Sequence, residues 1–183
     1  ASHGYYHWTF ESSDLKKSKD ALEQLSGRAV RGYRQARMMP VPEAEVARAG
    51  YCYNSSLHPT FIPGRYMHLT APRTYFMQEG VMQIPASVTP LLRFPLFWLS
   101  CHNLPFALYC WLCRRTLRHD GYLVVYFHPW EFYQLDEHPE LRLPRIIRNQ
   151  SGRGMIDRLD RWIGSFLAEG ASFVTFSEFV DTL

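Results

Sequence analysis

The chain lacks any concentrated charge of one sign. Its 183 residues carry 20 Lys and Arg against 17 Asp and Glu, and no basic block of the kind that tracks phosphates occurs, so nucleic acid is not an expected partner. Cysteine is sparse. Of Cys52, Cys101, Cys110 and Cys113, only the last two stand close together, which excludes a zinc ribbon. That pair lies in an apolar stretch, where cysteine acting as a small buried hydrophobe outweighs a redox-active dithiol, and the unarranged set points to a reducing compartment. No charged segment followed by an apolar core opens the chain in the manner of a signal peptide. Repeats and low-complexity segments are absent. Residues 91–113 are about long enough to span a bilayer, but Arg93, Pro95, the Ser100-Cys101-His102-Asn103 group and Pro105 interrupt them. Two amphipathic pieces are expected instead, the second a helix over about 104–119, with an exposed side able to make a peripheral membrane contact.

What is present suits a single domain over residues 1–183, with 46% hydrophobic, 15% aromatic and 20% charged residues. Ser12, Ser13 and Asp14 can cap a helix whose apolar positions Leu15, Ala21, Leu22 and Leu25 pack inward and which stops at Gly27. Residues 29–33 read as a short strand delivering Arg34. A short helix with Pro42 near its start and Gly50 past its end follows, then a strand over 51–54, so strand and helix alternate as in βα units. Residues 55–79 hold four prolines or glycines among aromatics (Pro59, Pro63, Gly64 and Pro72) and read as a long ordered loop on which a sugar could stack. A strand over 81–88, with Pro85 marking a bulge or an edge, precedes the apolar stretch. Residues 122–127 are of strand type and deliver His128 to their end, because Pro129 cannot continue a central ladder. A surface loop over 134–143 and a helix over 151–169 follow, the helix burying Met155, Ile156, Leu159, Trp162, Ile163, Phe166 and Leu167. A last strand at 172–175 and a closing helical turn complete the pattern, an α/β fold.

Three places carry chemistry. His3 and His7 stand four apart, and neutral imidazoles at that spacing can close on one metal ion; Gly4 stands where a metalloprotease helix needs its glutamate, so a loop suits the pair better. Arg34 follows a strand. His128 ends one, which is where α/β folds place catalytic groups.

At these places the sequence resembles the polysaccharide deacetylases, the NodB-homology or carbohydrate esterase 4 group. Ser2-His3-Gly4-Tyr5-Tyr6-His7 is similar to the family's metal-binding histidine motif, Gly32-Tyr33-Arg34 to its arginine motif, and Tyr126-Phe127-His128 to the motif carrying its general-acid histidine. Residues 53–57, 83–87 and 128–131 are similar to a branch linked to bacterial surface polysaccharides. Two departures stand out. Gln35-Ala36 follows Arg34 where the family usually has a proline-bearing pair, and the family's first motif, an Asp-Asp pair, has no counterpart. The chain is therefore expected to correspond to the C-terminal two-thirds of such a domain and, alone, to be inactive.

The resemblance implies a partial β/α barrel with a mostly parallel sheet and outer helices, in which His3 and His7 hold a divalent metal, zinc first. The metal would activate a water and polarise an N-acetyl carbonyl on a polysaccharide or amino sugar. His128 would protonate the departing amine, and Arg34 would orient a general-base carboxylate. Tyr33, Asn54, Trp130 and Glu131 are the candidates for lining the substrate site, whereas His58, His68, His102, His119 and His138 are not expected to be ligands. Two further readings stay open: a noncatalytic carbohydrate-binding domain, and a deacylase of a lipid-linked sugar. The implied location is cytoplasmic or membrane-associated.

Overall fold

A computed structural model describes residues 1–183 and resolves into two compact units. The first comprises Ala1–Ala86 with Val174–Leu183, and the second Ser87–Phe173. The class is α/β with a mixed sheet.

In the first unit, β1 (Gly32–Tyr33), β2 (Tyr53–Asn54), β5 (Phe76–Gln78) and β6 (Val81–Gln83) form a sheet in the order β1-β2-β6-β5. The β1/β2 and β2/β6 pairs are parallel, and β5/β6 is antiparallel. Ser2 extends the parallel set beside β1, donating its N–H to the Gly32 carbonyl at 2.8 Å and accepting from Arg34 N at 2.9 Å. Only two or three residues of each strand are paired, fewer than the runs 29–33 and 81–88 predicted, and the strands do not close into a barrel. Gly32 shows why β1 and β2 need glycine at their contact: a Cβ there would lie 2.0 Å from the Tyr53 ring.

Two helices cross between these strands. α1 (Ser12–Ser26) has its N-cap at Glu11, one residue before the predicted serine cap. Asp14 acts from inside the first turn, where its Oδ2 accepts from Glu11 N at 3.1 Å; Gly27, at φ 65°, ends the helix as expected. Its buried face differs from the predicted apolar one. Leu15 is buried, but Leu25 is 85% exposed and the neighbouring inward position is Ser18. A serine serves there because its hydroxyl meets Ser2 Oγ at 2.9 Å and the Tyr51 hydroxyl at 3.1 Å. α2 (Glu43–Arg48) matches its prediction between Pro42 and Gly50. Leu15, Val30, Tyr33, Val46, Tyr51 and Val81 make the core.

Residues 55–79 are more regular than a loop: besides β5, they contain a hairpin of β3 (Phe61–Ile62) and β4 (Tyr66–Met67). The chain's last helix, α7 (Phe176–Asp181), belongs to this unit through a bidentate Arg31–Asp181 pair at 2.7 and 2.9 Å and stacking of Phe176 on Tyr53.

The second unit is helical: α3 (Trp98–Asn103), α4 (Phe106–Asp120), α5 (Arg145–Arg148) and α6 (Arg153–Ala168). α4 ends at Gly121, φ 78°, close to its predicted limit. No helix is long and apolar enough to cross a membrane. Leu96, Cys101, Tyr109, Cys110, Cys113, Met155, Trp162 and Phe166 form its core. The Cys110 and Cys113 thiols are free and packed on the inner face of α4, and burial pushes Cys113 up to about 12. Ile156 and Leu167 of the predicted α6 stripe are exposed, because the contact face is narrower than the apolar stripe.

Residues 122–127 form no ladder, contrary to their strand-type composition, and neither do residues 172–175. Val124 accepts from Ser87 N at 2.9 Å, but its own N–H goes to the Ser87 hydroxyl at 2.8 Å, so a side chain takes the donor a ladder would use.

Candidate functional site

The first group of site residues sits where the parallel strands end. Ser2 pairs with β1, and His3 follows it. The His3 Nδ1 lies 2.9 Å from the Arg34 carbonyl oxygen; a carbonyl can only accept, so Nδ1 carries the hydrogen and the lone pair is on Nε2. That arrangement fits a metal ligand, whose other ring nitrogen normally donates to a carbonyl or carboxylate. The His7 ring is 6.2 Å from the His3 ring, centroid to centroid, and both are exposed. Gly4 between them has φ 88°, a backbone that favours glycine. Tyr5, Tyr6 and Trp8 around the pair are 49%, 56% and 73% exposed, making an aromatic surface beside it.

Arg34 leaves β1 with its Nη2 donating to Ser55 Oγ at 2.6 Å and its guanidinium 5.7 Å from the centroid of Phe176. Ser55 passes its own hydrogen to the Ile84 carbonyl at 2.6 Å, so Arg34 is anchored across the three parallel strands. The departure from the family pattern at Gln35-Ala36 has a structural counterpart. Gln35 is buried, its N–H bonds Ser56 Oγ at 2.8 Å, and the turn after it places Arg37 and Met38 at φ 59° and 52°. Tyr33 is not on a rim: it is 1% exposed, its hydroxyl donates to Gln35 Oε1, and burial raises its phenol well above the ordinary value. It supports the Arg34 loop from within the core.

Asn54 is likewise turned inward, and it identifies a residue that sequence reasoning missed. Its Nδ2 reaches both carboxylate oxygens of Glu43, at 3.0 and 3.1 Å, and Gln83 Nε2 reaches the second at 2.8 Å. Asn54 and Gln83 are register partners on β2 and β6, so adjacent strands hold one carboxylate from the start of α2. Burial raises the Glu43 carboxyl, and the two amide donors oppose that. The signal was a polar residue closing each of two buried strands, which requires a partner. His58, set aside as a ligand, is buried with its ring 4.8 Å from Tyr66; burial, with the nearby Arg34 charge, lowers it to about 3, so it is neutral.

The second group belongs to the second unit. His128 is held by a turn, not by a strand of the sheet: it precedes the 3₁₀ turn Pro129–Phe132, with Pro129 at the first helical position. Glu131, three residues on, is wholly buried, and its Oε1 accepts from His128 N at 2.6 Å and from His128 Nδ1 at 2.7 Å. With Glu131 ionised, Nδ1 carries the hydrogen, and Nε2 is the ring's remaining position on a side chain that is 39% exposed. The Trp130 ring stacks on His128 at 5.3 Å and 18°, and Trp98 and Tyr126 meet it edge-on at 5.5 and 5.8 Å. Glu131 is thus a buried anchor rather than part of a rim, whereas Trp130 is 39% exposed. Its other oxygen lies 3.2 Å from Nε2 of buried His102. The sequence signal for His102 was a His-Asn pair inside an otherwise apolar stretch.

His3, His7 and Arg34 are therefore brought together in one unit, and His128, Trp130 and Glu131 in the other, joined there by His102. No group of three or more His, Cys, Asp or Glu side chains is arranged to hold a metal ion. Compared with protein-family models and with curated proteins, the chain matches none.

Proposed function

We propose that the chain is part of a metal-dependent amide hydrolase that removes N-acetyl groups from a polysaccharide or amino sugar, on a partial barrel of the NodB type. The observation that carries the reading is the grip of buried Glu131 on His128. A carboxylate that takes the Nδ1–H fixes the tautomer and orientation of the ring, leaving Nε2 to hand a proton to a departing amine. Trp130 and Trp98 limit how that ring can tilt.

His3 and His7 would hold the divalent ion, zinc first, through the lone pair that the Arg34 carbonyl leaves on His3 Nε2 and through the neighbouring His7 ring. When bound, such an ion supplies an activated water and a polarised carbonyl. Arg34, tied to Ser55, presents a fixed cation that would hold ionised a carboxylate brought beside it, and the exposed Tyr5, Tyr6 and Trp8 offer rings against which sugar faces stack.

That aromatic surface also favours a second reading, a carbohydrate-binding domain without turnover. The two separate in one experiment, zinc-dependent acetate release from an N-acetylglucosamine oligomer. It is measured on the full-length protein, wild type against His128→Gln. The hydrolase reading expects release that falls by roughly 10²–10⁴ in the variant, the usual worth of a positioned proton donor. Release unchanged by His128→Gln would remove His128 from the chemistry, and sugar binding with no release would favour the binding domain.

A further inference from the structure

The buried partner of Glu131 has a consequence for the charge of the His128 site. His102 Nδ1 lies 2.6 Å from the Asn149 carbonyl oxygen, which can only accept, so that nitrogen carries a hydrogen. His102 Nε2 faces Glu131 Oε2 at 3.2 Å, with both side chains fully shielded from solvent. One hydrogen must lie between them, either on the carboxyl or on the ring. The opposite oxygen of Glu131 accepts from the backbone N–H of His128 at 2.6 Å and lies 2.7 Å from its Nδ1, and donors on a carboxylate favour its ionised form.

The geometry points to His102 as an imidazolium, protonated on both nitrogens and paired with an ionised Glu131, and so to a positioning residue for His128. An isolated buried carboxylate beside His128 would bind the ring's proton more tightly, which opposes giving it up. With His102 charged, the pair is neutral as a whole, and Glu131 can fix the His128 tautomer without adding a net charge next to it. Asn149 secures the arrangement from the other side, since its side-chain Nδ2 donates back to the His102 carbonyl at 3.3 Å. The edge of Trp98 closes over the His102 ring at 5.7 Å and over His128 at 5.5 Å, so both rings share one wall. Titratable or charged groups on the packed elements are Cys101 of α3, Arg145 and Arg148 of α5, and Arg153, Asp157, Arg158, Asp160 and Arg161 of α6, of which Arg158 acts on Cys101. None of them stands between His102 and Glu131.

The role of His102 in proton transfer rests on the hydrolase reading; its charge does not. Nitrogen-15 NMR of the histidine rings in the whole chain tests the charge without any assay of turnover. At about pH 7 both His102 nitrogens should carry hydrogen and His128, when neutral, should be the Nδ1–H tautomer. A lone pair on His102 Nε2 would place the proton on Glu131 and overturn the assignment. The second arm is His102→Gln, whose amide can still donate to Glu131 but carries no charge. There His128 should keep its second ring hydrogen to higher pH than in wild type, and behaviour unchanged from wild type would also overturn it. Should that variant fail to fold, the wild-type spectrum decides alone. Correct ring charges with acetate release insensitive to His128→Gln would leave the buried pair standing and remove only the hydrolase.

Discussion

What a ring nitrogen touches fixes how a histidine can act, and two of the functional candidates, His3 and His128, differ there. His3 holds Nδ1 against a backbone carbonyl, whereas His128 holds Nδ1 against a buried carboxylate, and each contact fixes the orientation of its ring. Glu131→Gln should lower acetate release and, by leaving buried His102 without its carboxylate partner, destabilise the second unit as well, so the loss should be read together with the urea midpoint and the His128 tautomer by NMR. His58 makes a different prediction. Its folded value of about 3 lies below the ordinary 6.5, so between those limits the unfolded chain binds more protons than the folded one. Stability is full above about pH 6.5 and falls, as the medium is acidified, by roughly 1.4 kcal/mol per pH unit from this group. Replacing His58 with Asn should remove about 2 kcal/mol of the drop between about pH 7 and pH 5, read from urea midpoints; an unchanged drop would show that His58 is not the group responsible.

Among the elements, short strands hold the site because side chains finish what their few ladder bonds begin. Glu43 joins α2 to the ends of β2 and β6 through three amide contacts. Glu43→Leu would leave the Asn54 and Gln83 donors buried without that acceptor, at a cost of about 1–3 kcal/mol for each, visible in the urea midpoint. Gly32→Ala would force the Tyr53 ring away from β1 and should cost about 1–3 kcal/mol by overpacking. Much of this level was legible: α2, the end of α1 at Gly27 and the end of α4 at Gly121 were set by proline and glycine chemistry that acts locally. Residues 122–127 were not, since composition reports what a strand would bury and says nothing of whether a neighbour offers N–H and C=O groups in sequence; here the Ser87 hydroxyl intervened. The buried face of α1 escaped for a related reason, because Ser18 reads as polar until Ser2 and Tyr51 are beside it.

For the whole molecule, the site residues named from sequence fall into two sets, and long-range partners decide what each does. His3, Arg34 and Ser55 are linked in the first unit although they are far apart in the chain, and His102, His128 and Glu131 in the second. The motifs marked where chemistry-bearing residues stand, Glu131 among them; its hold on His128, and that of Glu43 on Asn54 and Gln83, needed the fold to be seen. The division of labour between the sets is the central claim, and zinc binding by the 183-residue chain followed by calorimetry tests it most directly. Two imidazoles are fewer than the three protein ligands usual for catalytic zinc, so wild type should bind one ion weakly. His7→Ala should abolish that binding and His128→Ala should leave it unchanged, whereas equal loss in both variants, or binding indifferent to His7, would contradict the account.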